Sequence, residues 1–409
     1  MKACIYRGTK QVGGTCVELV AGNQRLLLDF GLPLDGDPAD TTLVSSVNMD
    51  NLCGTVISHP HLDHYGMLHH LPADTPVLMG AAAKRIVQAA APFTGQALPS
   101  LDGPSLVDRQ PIDLGPFQIT PYLVDHSAYD AYALLVEADG KRLFYSGDFR
   151  AHGRKARLHH RLIADPPRRI DALLLEGSSL SRLDTDGAFL SESELEEQLV
   201  GQLQSTNGVT LFHTSAQNID RLVTVYRACK RMGRPMVIDL YAAAVLAATE
   251  NSHIPQSDWP GMLLYLPRRQ AIQVKRNAWF DLLRRHSSHR VYNDQLTAKA
   301  ANGVLLFRPV LMNDLDEAGC LSDARFIYSQ WAGYLEKGSY APMEAWLQGH
   351  GIAINHLHTS GHASVGDLKA LAEALQAKAL VPIHSFTAER YPEIFSNVVL
   401  RDDGEWWEV

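Results

Sequence analysis

The sequence predicts an α/β fold whose apolar strands end on histidines and carboxylates. Three observations carry this. Short apolar runs, such as Thr55-Val56-Ile57 and Ala172-Leu173-Leu174-Leu175, stop abruptly at polar residues. Between residues 208 and 246, strand-like and helix-like segments alternate at lengths that imply a parallel sheet. The chain has 409 residues, 46% of them hydrophobic and 20% charged, enough for two or three domains with real cores.

The first strand of interest, Thr55-Val56-Ile57, runs into Ser58-His59-Pro60-His61-Leu62-Asp63-His64. In an extended segment residues 59 and 61 point the same way, while 63 and 64 open the next turn. One short loop therefore offers His59 and His61 to one metal, and Asp63 and His64 to another close by. Nitrogen and carboxylate donors suit Zn²⁺ at roughly 2.0–2.2 Å. Chance is the competing reading in a chain with 18 histidines. The spacing has a coordination geometry behind it and outweighs chance.

Further strand ends follow in order. Pro121-Tyr122-Leu123-Val124-Asp125 delivers His126, and Arg142-Leu143-Phe144-Tyr145-Ser146-Gly147 delivers Asp148. The neighbouring glycine gives Asp148 room to enter a site, where its carboxylate can bridge two cations about 3.5–4 Å apart. A third strand, 171–175, delivers Glu176. His362 lies in His358-Thr359-Ser360-Gly361-His362-Ala363-Ser364, and His384 ends Val381-Pro382-Ile383. A single strand-end histidine is more often structural than a ligand. Repeated strand-end ligands are how α/β proteins build sites.

After Glu176 the stretch 178–187 reads as a linker. Ser191 with Glu194 forms a capping-box signature that opens a helix. Strands are expected at 208–212, 235–240, 304–307 and 325–328, with helical spacing at 218–226 and a helix start at 241–246. Ser364 with Asp367 caps a helix over 365–377. Residues 250–300 give the poorest pattern.

Net charge is −8, which does not advertise a nucleic-acid binder. The charge is uneven, however. Residues 150–169 hold seven Lys/Arg against Asp165 alone. Residues 268–290 hold seven against Asp281 alone, with Trp279 and Phe280 among them. Such stretches are usually solvated faces; the alternative is a phosphate-tracking surface. No run approaches 18 uncharged apolar residues and the start lacks a signal-peptide core, so no membrane span and a cytoplasmic location are expected. Five scattered cysteines without CxxC pairing fit reduced thiols.

With these residues in view, the chain resembles the metallo-β-lactamase fold, whose hallmark is HxHxDH followed by a later His, Asp and His. It further resembles the β-CASP nuclease branch, and within it the ribonuclease J-like and cleavage-and-polyadenylation-endonuclease-like members. That branch adds an acidic residue matched by Glu176, a His in an SGHA-type loop matched by His362, and a final strand-end His matched by His384. The resemblance runs from Gly13-Gly14 and Leu28-Asp29-Phe30-Gly31 to His384. It implies an αββα sandwich, residues 1–185 and 346–409, with a β-CASP α/β domain of parallel sheet inserted at 186–345.

The resemblance also implies roles. His59, His61 and His126 would hold one Zn²⁺, and Asp63, His64 and His384 the other, with Asp148 bridging; Mn²⁺ suits the same donors. The catalytic residues would be Asp63, His362 as proton donor to the leaving oxygen, and Glu176 orienting that ring. Ser215, Asn218, Thr359, Ser360 and Ser364 are candidate phosphate contacts. The implied activity is hydrolysis of RNA, or of single-stranded DNA as well, with a homo-oligomer left open. The alternative is a small-molecule hydrolase of the same fold, acting on a thioester, lactone or phosphodiester. Two departures stand out. Ribonuclease J carries a further C-terminal domain, whereas about 25 residues of this sequence follow His384, and Ser385-Phe386-Thr387 stands there in place of a glycine–acid pair.

Overall fold

Neighbouring residues along a strand face opposite ways, and in this chain both ways are apolar. In the computed structural model, Leu26 and Leu28 join one core while Leu27 joins another. Leu143 and Tyr145 likewise flank Phe144, which packs on the other side of its sheet. Sheets covered on both faces explain why the strands read as continuous apolar runs rather than alternating ones. The structure describes residues 1–34, 41–96, 100–182, 189–336 and 338–409. The expected boundary at 185/186 lies outside them.

Two units form. The first comprises Met1–Gln88, Gln96–Phe189 and Gly361–Val409. Its seven-stranded sheet has the order Trp406–Glu408, Lys2–Arg7, Cys16–Ala21, Gln24–Phe30, Leu52–Val56, Val77–Gly80, Ser105–Leu106. Its six-stranded sheet runs Ala379–Ile383, Ala172–Glu176, Lys141–Tyr145, Ala131–Ala138, Phe117–Val124, Ile112–Leu114. One core, with Leu28 and Val56 from the first sheet and Leu134 and Leu174 from the second, joins them face to face. Helices Arg157–Ala164 and Val365–Leu375 cover the six-stranded sheet through Leu162, Leu368 and Leu371. Ala83 and Val87 of helix Ala81–Thr94 cover the other. The result is the expected αββα sandwich.

Pairing direction sets where the polar residues that end the strands emerge. Strands Lys141–Tyr145, Ala172–Glu176 and Ala379–Ile383 are mutually parallel, with Tyr145 opposite Leu174 and Glu176 opposite Ile383. Their carboxyl ends therefore deliver Asp148, Glu176 and His384 to one edge.

The second unit comprises Ala89–Gly95 and Leu190–Ser360. Its sheet is parallel throughout, in the order Arg290–Val291, Met262–Tyr265, Met236–Ile238, Val304–Phe307, Thr210–His213, Arg325–Tyr328, Ile354–His356. The last strand pairs with Arg325–Tyr328, which keeps residues up to Ser360 in this unit, past the expected return at 346. The capping box at Ser191 and Glu194 forms. The fully buried Arg221 bonds the Glu192 carboxylate at 3.1 Å and the Ser329 and Thr359 carbonyls at 3.1 and 3.2 Å. That fixes the backbone at Thr359. Among the described residues no helix is long and apolar enough to cross a membrane.

Candidate metal centre

The loop after strand Leu52–Val56 is held by a buried carboxylate from the neighbouring strand. Asp29 accepts Ser58 N at 2.7 Å, Ser58 Oγ at 2.8 Å and Tyr145 Oη at 2.6 Å, and its Oδ2 lies 2.7 Å from His64 Nδ1. A carboxylate accepts, so Nδ1 of His64 carries the hydrogen and Nε2 is left as donor atom. Gly31 lets the loop close: a Cβ there would sit 1.7 Å from the Asp63 carbonyl oxygen. That carbonyl accepts Thr15 N at 3.0 Å. Neither Asp29 nor Gly31 was singled out for a role in the sequence reading. The visible signal was an aspartate ending the apolar run Leu26-Leu27-Leu28, two positions before a glycine.

Three imidazoles converge at one side. His61 Nδ1 lies 3.2 Å from His59 Nε2 and 3.3 Å from His126 Nε2. Roughly 2.0 Å arms at tetrahedral angles subtend an edge of about 3.3 Å. Burial holds His59 and His126 well below the usual histidine range and lowers His61 to about 4. These rings are neutral at pH 7 and their lone pairs are available.

Asp63, His64 and His384 gather at the other side. Asp63 Oδ2 lies 3.5 Å from His64 Nε2 and 3.9 Å from His384 Nε2. His384 has φ +53 and sets Nδ1 3.0 Å from Thr15 Oγ1, so its Nε2 faces the cluster. Asp148 is central: its Oδ2 lies 3.2 Å from His64 Nε2, 3.4 Å from His384 Nε2 and 3.7 Å from His59 Nε2. Ligand atoms of His59, His61 and His126 lie within 4.8 Å of one another, as do those of Asp63, His64 and His384. Asp148 shares such groups with His59 and His64, and with His362 and His384.

The donors fit divalent cations. His64 Nε2, His384 Nε2 and Asp148 Oδ1 are buried without a hydrogen-bond partner. Leaving such atoms unpaired is costly unless a cation satisfies them. Burial opposes charge on His64, yet the carboxylates of Asp148, Asp63 and Asp29 outweigh it and raise its pKa well above the ordinary value. The pocket therefore attracts positive charge.

Beside it, Glu176 Oε2 lies 3.0 Å from His362 Nδ1, while Oε1 accepts Phe149 N at 3.0 Å. Burial would lower the His362 pKa; Glu176 and Asp148 outweigh it and push it up to about 9. The candidate phosphate contacts are dispersed. Ser364, in the first unit, caps helix Val365–Leu375. In the second unit Asn218 Oδ1 accepts Arg221 N at 3.0 Å, Ser215 Oγ accepts Gln217 N at 3.2 Å, and the Thr359 hydroxyl donates to the Leu190 carbonyl. Ser360 is half-buried.

Comparison with known proteins bears on the fold and the kind of domain. Residues 34–189 match the model of the beta-lactamase superfamily domain. The chain is 25% identical to the RNase J-like protein of Methanocaldococcus jannaschii over 49% of this chain and 47% of that one. It is 20% identical to Ribonuclease J of Mycoplasma genitalium over 94% of this chain and 67% of that one. It thus spans about half the length of the former relative. A solved structure of a protein of unknown function from Enterococcus faecalis superposes with TM-score 0.77 at 21% identity, covering 99% of both chains, and shares the fold. Residues 34–189 thus form a beta-lactamase superfamily domain, and the chain is similar along almost its whole length to Ribonuclease J.

Proposed function

We propose that this chain is a zinc-dependent phosphodiesterase that hydrolyses RNA. The observation that carries the reading is the Glu176–His362 pair standing beside a seven-residue donor cluster that shares Asp148. The names of the relatives, Ribonuclease J and RNase J-like protein, support RNA as substrate.

His59, His61 and His126 would hold one cation and Asp63, His64 and His384 the other, and Asp148, which lies near both groups, would add its carboxylate. Divalent ions held there would lower the pKa of water toward neutrality and offset charge on a phosphoryl group. The chain's own residues do the rest. Asp29 fixes the His64 tautomer, and Thr15 orients His384. Glu176 holds the His362 Nδ1–H, so the ring can deliver a proton from Nε2 to the leaving oxygen. In the first unit, backbone amides at the start of helix Val365–Leu375 with Ser364 are proposed to bind phosphate; in the second unit, Thr359, Ser360, Ser215 and Asn218 are proposed to do so.

The test is to incubate the metal-loaded protein with end-labelled 5′-monophosphate and 5′-triphosphate RNA and to size the products, with metal content measured in parallel. Cleavage that chelation abolishes, with about two metals per chain, supports the reading. Cleavage of nitrocefin or a thioester with RNA left intact would overturn it.

A further inference from the structure

The second basic stretch folds in the second unit as two short helices, Arg268–Arg276 and Phe280–Arg285. At about 100° per residue, Ile272 lies mid-face on the outer side of the first helix. Arg268, Arg269, Lys275 and Arg276 fall within about 60° of it. All five are exposed, Ile272 by 58%. The opposite face is anchored: Val274 is buried, and the side chain of Gln270 accepts Leu240 N at 3.1 Å and donates to Asp239 at 2.7 Å. Orientation of the outer face is therefore fixed.

Charge on the two helices is not balanced locally. Arg268 has Glu317 at 3.6 Å and Arg284 has Asp281 at 3.1 Å. Arg269, Lys275, Arg276 and Arg285 have no carboxylate partner among the described residues. No acid stands in the helix's first turn, and Arg268 and Arg269 occupy its positive end, where cations are disfavoured. A sequence shaped only by stability would place acids there. Trp279 is committed to packing, with its ring 5.5 Å from that of Phe93. Phe280, the next residue, is 53% exposed.

We infer that this face, together with the exposed Phe280 of the following helix, is a platform for single-stranded RNA, which tracks phosphates with Arg269, Lys275 and Arg276 and stacks a base on Phe280. The choice of RNA over an acidic protein rests on the proposed hydrolysis of RNA. One exposed isoleucine and one phenylalanine offer too little apolar area to anchor at a lipid surface. Phosphate contacts are long-ranged and salt-sensitive, whereas base stacking is not, so the two contributions separate experimentally.

The experiment measures binding of a fluorescent, cleavage-resistant 2′-O-methyl oligonucleotide of about 20 nucleotides, long enough to span several phosphate contacts, to the full metal-loaded chain over a salt series. The triple variant Arg269→Ala/Lys275→Ala/Arg276→Ala is expected to bind at least tenfold more weakly. Its log–log salt slope should shrink by about 2, at roughly 0.7 per lost phosphate contact. Phe280→Ala should weaken binding roughly tenfold with the slope unchanged. Hydrolysis of bis(p-nitrophenyl) phosphate should match the parent in both variants. Equal binding by parent and triple variant would overturn the platform, as would a parent that binds polyglutamate but not the oligonucleotide. A parent that binds RNA through this face yet hydrolyses no phosphodiester would instead remove the proposed activity and leave the platform standing.

Discussion

Glu176 Oε2 lies 3.0 Å from His362 Nδ1, and the same His362 nitrogen lies 3.7 Å from Asp148 Oδ2. One imidazole thus links a carboxylate outside the donor cluster to the carboxylate at its centre. On the proposed reading this ring transfers a proton. His362→Ala should retain both metals and lose on the order of 10²–10⁴ in kcat. Glu176→Gln should retain the metals and lose less, about 10–100-fold. Elemental analysis alongside single-turnover rates checks both, and loss of metal in His362→Ala would make that residue a ligand instead.

Asp29 Oδ2 lies 2.7 Å from His64 Nδ1 and fixes that ring. Asp29→Asn should weaken metal affinity by about 10–100-fold, because its one oxygen is needed by Ser58 N and the amide nitrogen then facing His64 cannot accept from Nδ1–H. Tyr145→Phe removes one hydrogen bond to the same carboxylate and should cost about 1 kcal/mol of stability with affinity nearly unchanged. Chelator competition and urea unfolding separate the two.

Gly31 marks a steric limit. A methyl group there meets the Asp63 carbonyl at 1.7 Å, and backbone must move. Gly31→Ala should destabilise the first unit by at least about 2–3 kcal/mol and release metal. An unchanged melting temperature would show that the loop tolerates the shift.

His213 gives a pH signature away from the ligands. Burial lowers its pKa to about 4, and its Nδ1–H donates to the Phe307 carbonyl at 3.1 Å. The unfolded chain protonates near 6.5, so it binds the extra proton first as pH falls. Stability is full above about 6.5 and is lost progressively down to about 4, by up to about 3 kcal/mol. His213→Asn should flatten this part of the urea-unfolding profile between pH 7.5 and 4.5. A profile parallel to the parent's would exclude His213 as its source.

What sequence by itself determined is local. The spacing of His59, His61, Asp63 and His64 commits four donors to one turn, whatever the rest of the chain does. Apolar runs ending at His126, Asp148, Glu176 and His384 marked strand ends, because only buried strands tolerate such continuous apolarity. Residues 250–300 stayed opaque since their strands, Met262–Tyr265 and Arg290–Val291, are too short to show a period. Tertiary structure decided the rest. Parallel register brings residues 148, 176 and 384 to one edge, Asp29 reaches His64 across a strand pair, and Ile354–His356 extends the second sheet past the expected return. These depend on which strands pair and at what register, and that choice is made by burial summed over the whole chain rather than by any segment alone.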